Sequence, residues 1–201
     1  LTAKAFDLAE RFRCPVFLMT DKELNLTNVT VDKSEYVDVP VRPRREAGIQ
    51  SPAAASGFRP YRYEPADGVP PLAHYGEDAP VRFTGSTHDE RAFITKHPAT
   101  VGRLNRHLAE KIERHRDEIE MVEADVQAGA ETLFLSYGVT AGAMREAVRL
   151  ARGAGRKVSG LTVQSLWPVP ETSILRALEG VRRIVVAELN LGQYRLEIER
   201  L

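Results

Sequence analysis

The chain has 201 residues, 28 basic and 28 acidic side chains, and a formal net charge of zero, with 43% hydrophobic residues. That length holds one large domain or two small ones, and balanced charge gives no electrostatic case for nucleic acid or an acidic membrane as partner. No stretch reaches the ~18 consecutive apolar residues of a membrane helix and no secretory signal opens the chain, so a cytoplasmic location is expected.

The first residues carry a helical pattern, with Leu1, Ala5, Leu8 and Phe12 recurring on one side over Leu1–Arg13. A strand over Pro15–Thr20 is predicted next, stopping at Asp21, which makes half of a parallel α/β unit. One such unit cannot form a core, so the segment is expected to pack on a sheet lying largely outside the chain. The single cysteine, Cys14, excludes an internal disulfide and any four-cysteine zinc or iron–sulfur site built from this chain alone. Next to Pro15 it reads as a small buried thiol. The chain starts without Met inside this helical pattern and stops at Leu201 inside another that begins near Tyr194. That predicts a piece of a longer protein.

Residues 32–96 differ in kind. Eight of the twelve prolines fall here (Pro40, Pro43, Pro52, Pro60, Pro65, Pro70, Pro71 and Pro80), together with Ala53-Ala54-Ala55-Ser56-Gly57. The composition predicts a long irregular connection rather than a helix or sheet centre. Connections of this length are interdomain crossings or functional segments, and Phe58, Tyr61, Tyr63, Tyr75 and Phe83 are anchors that predict an ordered one. From Pro98 a charged helix is predicted to about Val122, with Val101, Leu104, Leu108, Ile112, Ile119 and Val122 along one side. Arg106, Glu110, Arg114 and Glu118 alternate in sign four residues apart, as do Arg116 and Glu120, and form its solvated face. His107 and His115 belong to that face, eight residues apart, which is no metal-ligand spacing.

Residues 130–201 alternate cleanly. Strand Thr132–Tyr137 leads through Gly138 into helix Thr140–Arg152, whose Met144, Ala147, Val148 and Ala151 face inward. Strand Val158–Val163 continues to Trp167, and Pro170 opens a helix through Ile174, Leu175 and Leu178 that Gly180 ends. Strand Arg183–Ala187 is apolar enough to be buried on both faces. Three βα units in succession predict a small parallel sheet with right-handed crossovers.

Polar residues just past a strand's carboxyl end mark functional positions in such sheets, so Glu188, Asn190 and Gln193 have two readings. They are site or interface groups, or they form a turn in which Asn190 caps a helix and Gly192 supplies a permissive backbone. Gly138-Val139-Thr140-Ala141-Gly142 lacks the order of a phosphate loop, and its glycines read as a tight turn and close helix–strand packing, with Thr140 as N-cap. Thr87-His88-Asp89-Glu90 gathers groups able to bind metal or move protons, but neighbours in sequence rarely converge on one ion, and a hydrogen-bonded loop is the better reading. No nucleophile–base arrangement or paired carboxylates stand out, so no catalytic or metal-binding residue is assigned.

Taken in order, several segments are similar to one family. They are Ala5-Phe6-Asp7-Leu8-Ala9-Glu10 with Pro15-Val16-Phe17-Leu18, then Val81-x-Phe83-Thr84-Gly85 with His88-Asp89-Glu90. Gly138-x-Thr140-x-Gly142-Ala143-x-Arg145-Glu146-Ala147 follows, then Leu166-Trp167-Pro168 and finally Glu188-Leu189-Asn190-Leu191-Gly192-Gln193. The series resembles the alpha subunits of 2-oxoacid:ferredoxin (acceptor) oxidoreductases, the 2-oxoglutarate-type branch in particular.

The resemblance implies an α/β architecture in three parts. Residues 1–31 would be the end of a pyrimidine-binding domain for thiamine diphosphate, 32–123 the crossing and its helix, and 124–201 a transketolase C-terminal-like domain. It implies oxidative decarboxylation of a 2-oxo acid to acyl-CoA, with electrons passed to ferredoxin. Thiamine diphosphate with Mg would be shared with a beta subunit that carries the diphosphate-binding domain, and the iron–sulfur clusters would sit in partner chains. The family's activating glutamate is expected before Leu1. On this reading His88, Asp89, Glu188, Asn190 and Gln193 are interface or site-adjacent groups. Two alternatives stay open: a beta-type subunit of a lipoamide-linked 2-oxoacid dehydrogenase or a transketolase, and a non-catalytic flavodoxin-like module with a ligand at Gly138–Gly142.

Overall fold

The computed structural model describes residues 1–35, 42–43, 45–49, 52–63, 68–79 and 81–201. Pro40, Pro65 and Pro80 of the proline-rich stretch lie outside the described residues. Helices run α1 (Thr2–Phe12), α2 (Lys22–Leu26), α3 (Pro52–Gly57), α4 (Pro98–Glu113), α5 (Arg116–Ile119), α6 (Thr140–Gly153), α7 (Glu171–Ala177) and α8 (Gln193–Glu199). Strands are β1 (Val122–Asp125), β2 (Thr132–Ser136), β3 (Ser159–Val163) and β4 (Arg183–Ala187). Two compact units result: Leu1–Leu18 with Lys33–His115, and Met19–Asp32 with Arg116–Leu201.

In the first unit α1 buries Leu8 and Phe12, as its periodicity predicts. Arg13 ends the helix in the left-handed region at φ 47°. Its Nη1 donates to the carbonyls of Pro60 at 3.3 Å, Pro70 at 2.8 Å and Pro71 at 3.3 Å. Prolines bring carbonyls without N–H groups, and one planar guanidinium collects three of them. This staple ties Pro60, Pro70 and Pro71 to the end of α1. The expectation of an irregular connection needs one correction, since Pro52–Gly57 forms a short helix. Ala55, Ala73 and Ala79 make a small core there, with Phe58 packed against it. Tyr61 and Tyr63 are half-buried anchors, whereas Tyr75 is 74% exposed and packs edge-on against Phe83.

The predicted strand over Pro15–Thr20 is not formed. Its residues are exposed, with Phe17 at 83% and Met19 at 75%, because a parallel strand gains its ladder and its burial only from neighbours. Cys14 is half-buried rather than fully buried.

The long helix is also shorter than its stripe suggests. It stops at Glu113, and Ile119 and Val122 of the same stripe serve α5 and β1. Val122 pairs with Val163 and Asp125 with Gly160, so antiparallel pairing against β3 overrides the helical pattern.

The second unit is a four-stranded sheet in the order β1-β3-β2-β4. β2 runs parallel to both β3 and β4, as predicted, and β1 adds an antiparallel edge. The alternation of β2 sorts its residues between two faces. Leu133 and Leu135 join Leu161, Val163, Ile174, Tyr194 and Ile198 in the main core, beneath α7 and α8. Phe134 turns to the opposite face, where Met144, Val148 and Val158 cluster under α6. Ala141, Met144 and Val148 are the buried residues of α6, and Ala147, predicted inward, is exposed.

Close packing of α6 on the sheet comes from Gly160, whose position a Cβ would bring within 3.3 Å of Met144 Sδ; Gly142 has open space around it. The prediction that β4 is buried on both faces also fails. It is an edge strand, with Arg183, Ile184 and Val185 exposed.

Candidate functional site: the carboxyl edge of the sheet

β2 and β4 end side by side and feed α6 and α8, so two helix N-termini open at one edge of the sheet. Such termini present unpaired N–H groups and a positive dipole end, an arrangement that suits anions. Here each is met by a carboxylate of the chain itself.

At α8 the carboxylate is Glu188. Its Oε2 accepts from the Tyr194 N–H at 3.1 Å and the Tyr137 hydroxyl at 2.9 Å, and its Oε1 from the Arg195 N–H at 3.1 Å. Asn190 completes the turn. Its Oδ1 accepts from the N–H groups of Gly192 at 2.8 Å and Gln193 at 3.1 Å, and its Nδ2 donates to Tyr137 Oη at 2.7 Å. Gly192, at φ 89°, supplies the left-handed residue this geometry requires. The capping reading of Asn190 and Gly192 therefore describes the local structure. Burial pushes Glu188 up, but hydrogen bonds from Asn190, Tyr137 and the N–H groups of Arg195 and Tyr194 outweigh it, and the carboxyl titrates below its ordinary range. Burial, and then the Glu188 carboxylate, push the Tyr137 phenol up. Tyr194 packs edge-on against Tyr137 with ring centroids 5.1 Å apart. Its own hydroxyl is buried without a hydrogen-bond partner among the described residues.

At α6 the carboxylate is Asp21. Its Oδ2 accepts from the Val139 N–H at 2.6 Å, across 118 residues of sequence. Gly138, at φ 57°, makes the approach possible, since a Cβ there would stand 2.5 Å from the same oxygen. Val139 rather than Thr140 is the N-cap. The Thr140 hydroxyl donates to the Tyr137 carbonyl at 2.7 Å and receives the Ser136 hydroxyl at 2.7 Å. A ligand at Gly138–Gly142 would have to displace Asp21. That weighs against the flavodoxin-like alternative with its ligand at Gly138–Gly142.

His88 and Asp89 belong to the other unit. Asp89 Oδ1 accepts from the N–H groups of Arg91 at 2.9 Å and Phe93 at 3.0 Å, closing a loop in which Ala92 takes φ 67°. His88 Nδ1 lies 2.7 Å from the Ser86 carbonyl. Glu188 and Asn190 thus come together, Gln193 is exposed beside them, and Asp89 is committed to its own loop. Asp21, Tyr137 and Tyr194 carry no role in the sequence reading. Asp21 had no signal to offer, because its partner is remote, whereas Tyr137 directly precedes a glycine at a strand end.

Three large apolar side chains that follow strands of this sheet are exposed. Trp167, after β3, is 78% exposed, and Leu189 and Leu191, after β4, are 78% and 96% exposed. No helix among the described residues is long and apolar enough to cross a membrane, and no group of three or more metal-ligating side chains is found among them.

Residues 130–201 match the family described as pyruvate:ferredoxin oxidoreductase core domain II. Over 202 residues the chain is 34% identical to the 2-oxoglutarate synthase subunit KorA of Methanothermobacter thermautotrophicus, covering 99% of this chain and 51% of the relative. It is 31% identical over 193 residues to the 2-oxoacid:ferredoxin oxidoreductase 2, subunit alpha, of Aeropyrum pernix, covering 94% of this chain and 29% of the relative. The 2-oxoglutarate:ferredoxin oxidoreductase from Magnetococcus marinus, solved with 2-oxoglutarate, coenzyme A and succinyl-CoA bound, superposes with a TM-score of 0.72 at 24% identity. That likeness covers 81% of this chain and 28% of the other, and bears on the fold.

The matched residues carry β2, β3 and β4, so this part of the sheet has the form of a core domain II of the pyruvate:ferredoxin oxidoreductase type. Along nearly its whole length the chain is similar to alpha subunits of 2-oxoacid:ferredoxin oxidoreductases. It spans about half the length of the KorA relative it matches.

Proposed function

We propose that this chain is the core-domain-II part of the alpha subunit of a cytoplasmic, thiamine-diphosphate-dependent 2-oxoacid:ferredoxin oxidoreductase. The enzyme converts a 2-oxo acid such as 2-oxoglutarate, with coenzyme A, into acyl-CoA and CO₂. The two electrons released pass singly to ferredoxin through iron–sulfur clusters in partner chains. The observation that carries this reading is the 34% identity, sustained over 99% of the chain, to a 2-oxoglutarate synthase subunit.

The described residues do not fit thiamine diphosphate or its Mg ion. No cluster of ligating side chains is present among them, and the helix N-terminus suited to a diphosphate holds Asp21. No chemical step is therefore assigned to this chain. Residues 1–31 are read as the end of the pyrimidine-binding domain, 32–123 as the crossing, and 124–201 as the transketolase C-terminal-like domain. The chain's contribution is a rigid docking edge for the diphosphate-binding beta subunit. Glu188 and Asn190 hold the turn from within, while Leu189, Leu191, Trp167 and Gln193 face outward. His88 and Asp89 belong to a second, loop-borne contact.

Two measurements on the complete co-purified complex test the reading. Reduction of a viologen dye should require both a 2-oxo acid and coenzyme A; an assembled complex inert toward every 2-oxo acid would overturn the assignment. The pair Leu189→Asp and Leu191→Asp should release the beta subunit in size-exclusion chromatography while the far-ultraviolet spectrum of the alpha subunit stays unchanged. Full retention of the beta subunit by that variant would refute the docking edge.

A further inference from the structure

A cleft of about 390 Å³ opens in the first unit between α1, the proline-rich segment and α4. That is within the range of small-molecule sites, roughly 300–1,000 Å³. Its walls are mostly apolar and aromatic. Tyr63 stacks flat on His107, with centroids 3.4 Å apart and planes 5° apart, and Tyr61 packs on His88 at 3.9 Å. Leu104 and Phe83 extend the lining.

Lys111 also lines the cleft. It is 6% exposed, and its ammonium donates to the Phe12 carbonyl at 2.7 Å. An ammonium has three protons to place, and a buried one is ordinarily met by a carboxylate. Glu10 also lines the cleft, but among the described residues no carboxylate lies within salt-bridge distance of Lys111. Arg13, another wall residue, adds a second positive charge, so the two cations repel. Burial is the main influence pulling the Lys111 ammonium below its usual range, with Arg13 adding to it and Cys14 opposing. Burial likewise pushes the Cys14 thiol up, so it stays uncharged and supplies no counter-ion at neutral pH. Burial first, then Lys111 and Arg114, hold His107 below its ordinary value, which keeps its ring neutral against Tyr63.

We infer that this cleft is a binding site for a small planar anion, an aromatic or heteroaromatic ring bearing one carboxylate or phosphate. The ring lies against the tyrosine and histidine faces, and the anion completes the coordination of Lys111. This inference does not depend on the proposed oxidoreductase activity. An ammonium already desolvated by the fold loses little further hydration when it meets an anion, so the charge contributes to affinity more than a surface lysine would.

The test uses two pairs of probes on the full-length protein, read by isothermal titration calorimetry. Benzoate is compared with benzamide, and adenosine monophosphate with adenosine. At least one anion should bind about ten-fold or more tightly than its uncharged analogue. Which one does so decides between a carboxylate and a phosphate. Lys111→Met should remove most of that preference and Lys111→Arg should keep part of it. Leu104→Trp, which fills the cleft and leaves Lys111 in place, should abolish binding, and it decides the matter if Lys111→Met fails to fold. Equal binding of anion and analogue, no binding of either, or a preference that survives Leu104→Trp would each overturn the inference.

Discussion

Replacing Glu188 by alanine should destabilise the second unit through α8, and the size of the effect can be worked from the contacts. The carboxylate serves the N–H groups of Tyr194 and Arg195 in the first turn and the hydroxyl of Tyr137. Loss of an N-terminal cap costs about 0.5–2 kcal/mol. Arg195 is exposed and its N–H rehydrates, whereas Tyr194 is buried and its N–H does not. Tyr137 retains Asn190. The net loss is therefore about 1–2 kcal/mol, or roughly 2–8 °C in Tm for a chain of this size. Glu188→Gln keeps one acceptor oxygen and should lose about half as much.

The pH dependence has a definite sign. The folded-state value of Glu188 is depressed, so its stabilisation is fully present above the unfolded carboxyl value of about 4.3 and is lost as pH falls through the lower folded one. Thermal melts followed by circular dichroism from neutral to acid pH should show the gap between wild type and Glu188→Ala closing toward acid. Hydrogen exchange should show α8 losing protection first. A variant melting within about 1 °C of wild type at pH 7, with α8 still protected, would refute the capping argument.

Three further outcomes are expected. Gly192→Ala places a side chain at φ 89° and should lower stability by about 1 kcal/mol, read in the same melts. Tyr194→Phe removes a buried hydroxyl that has no hydrogen-bond partner among the described residues, and should leave Tm unchanged or raise it by a few degrees. The Cys14 thiol, pushed up by burial against the opposing pull of Lys111, should react with iodoacetamide at pH 8 more slowly than free cysteine, and should match it once the protein is denatured in urea.

Local patterns in the sequence located most of the second unit. Arg183–Ala187 is a strand with the predicted bounds, and Asn190 and Gly192 form the turn their chemistry suggests. What escaped was set by neighbours. Val122 continues the helical stripe of α4 yet pairs with Val163, and only the presence of β3 distinguishes the two outcomes. Pro15–Thr20 has strand composition and no strand beside it. β4 has the apolar run of a fully buried strand but occupies an edge. At the candidate site Glu188 and Asn190 could be named from position alone. Whether they face a partner or their own helix depends on hydrogen-bond geometry, which spacing does not encode.

The bond between Asp21 and Val139 has a consequence for the order in which the second unit can assemble. It closes a loop of 118 residues, and on a simple chain-statistics scale such closure costs about 4 kcal/mol. One charge-assisted hydrogen bond at a helix terminus returns about 1–3 kcal/mol, too little to lead. The pairing of β2 with β3 and with β4 spans far shorter stretches and buries the core, so the sheet and α6 form without the Met19–Asp32 segment. Asp21 then arrives at a helix N-terminus that already exists. Met19–Asp32 is on this account the last part of its unit to dock and the first to leave under mild denaturant.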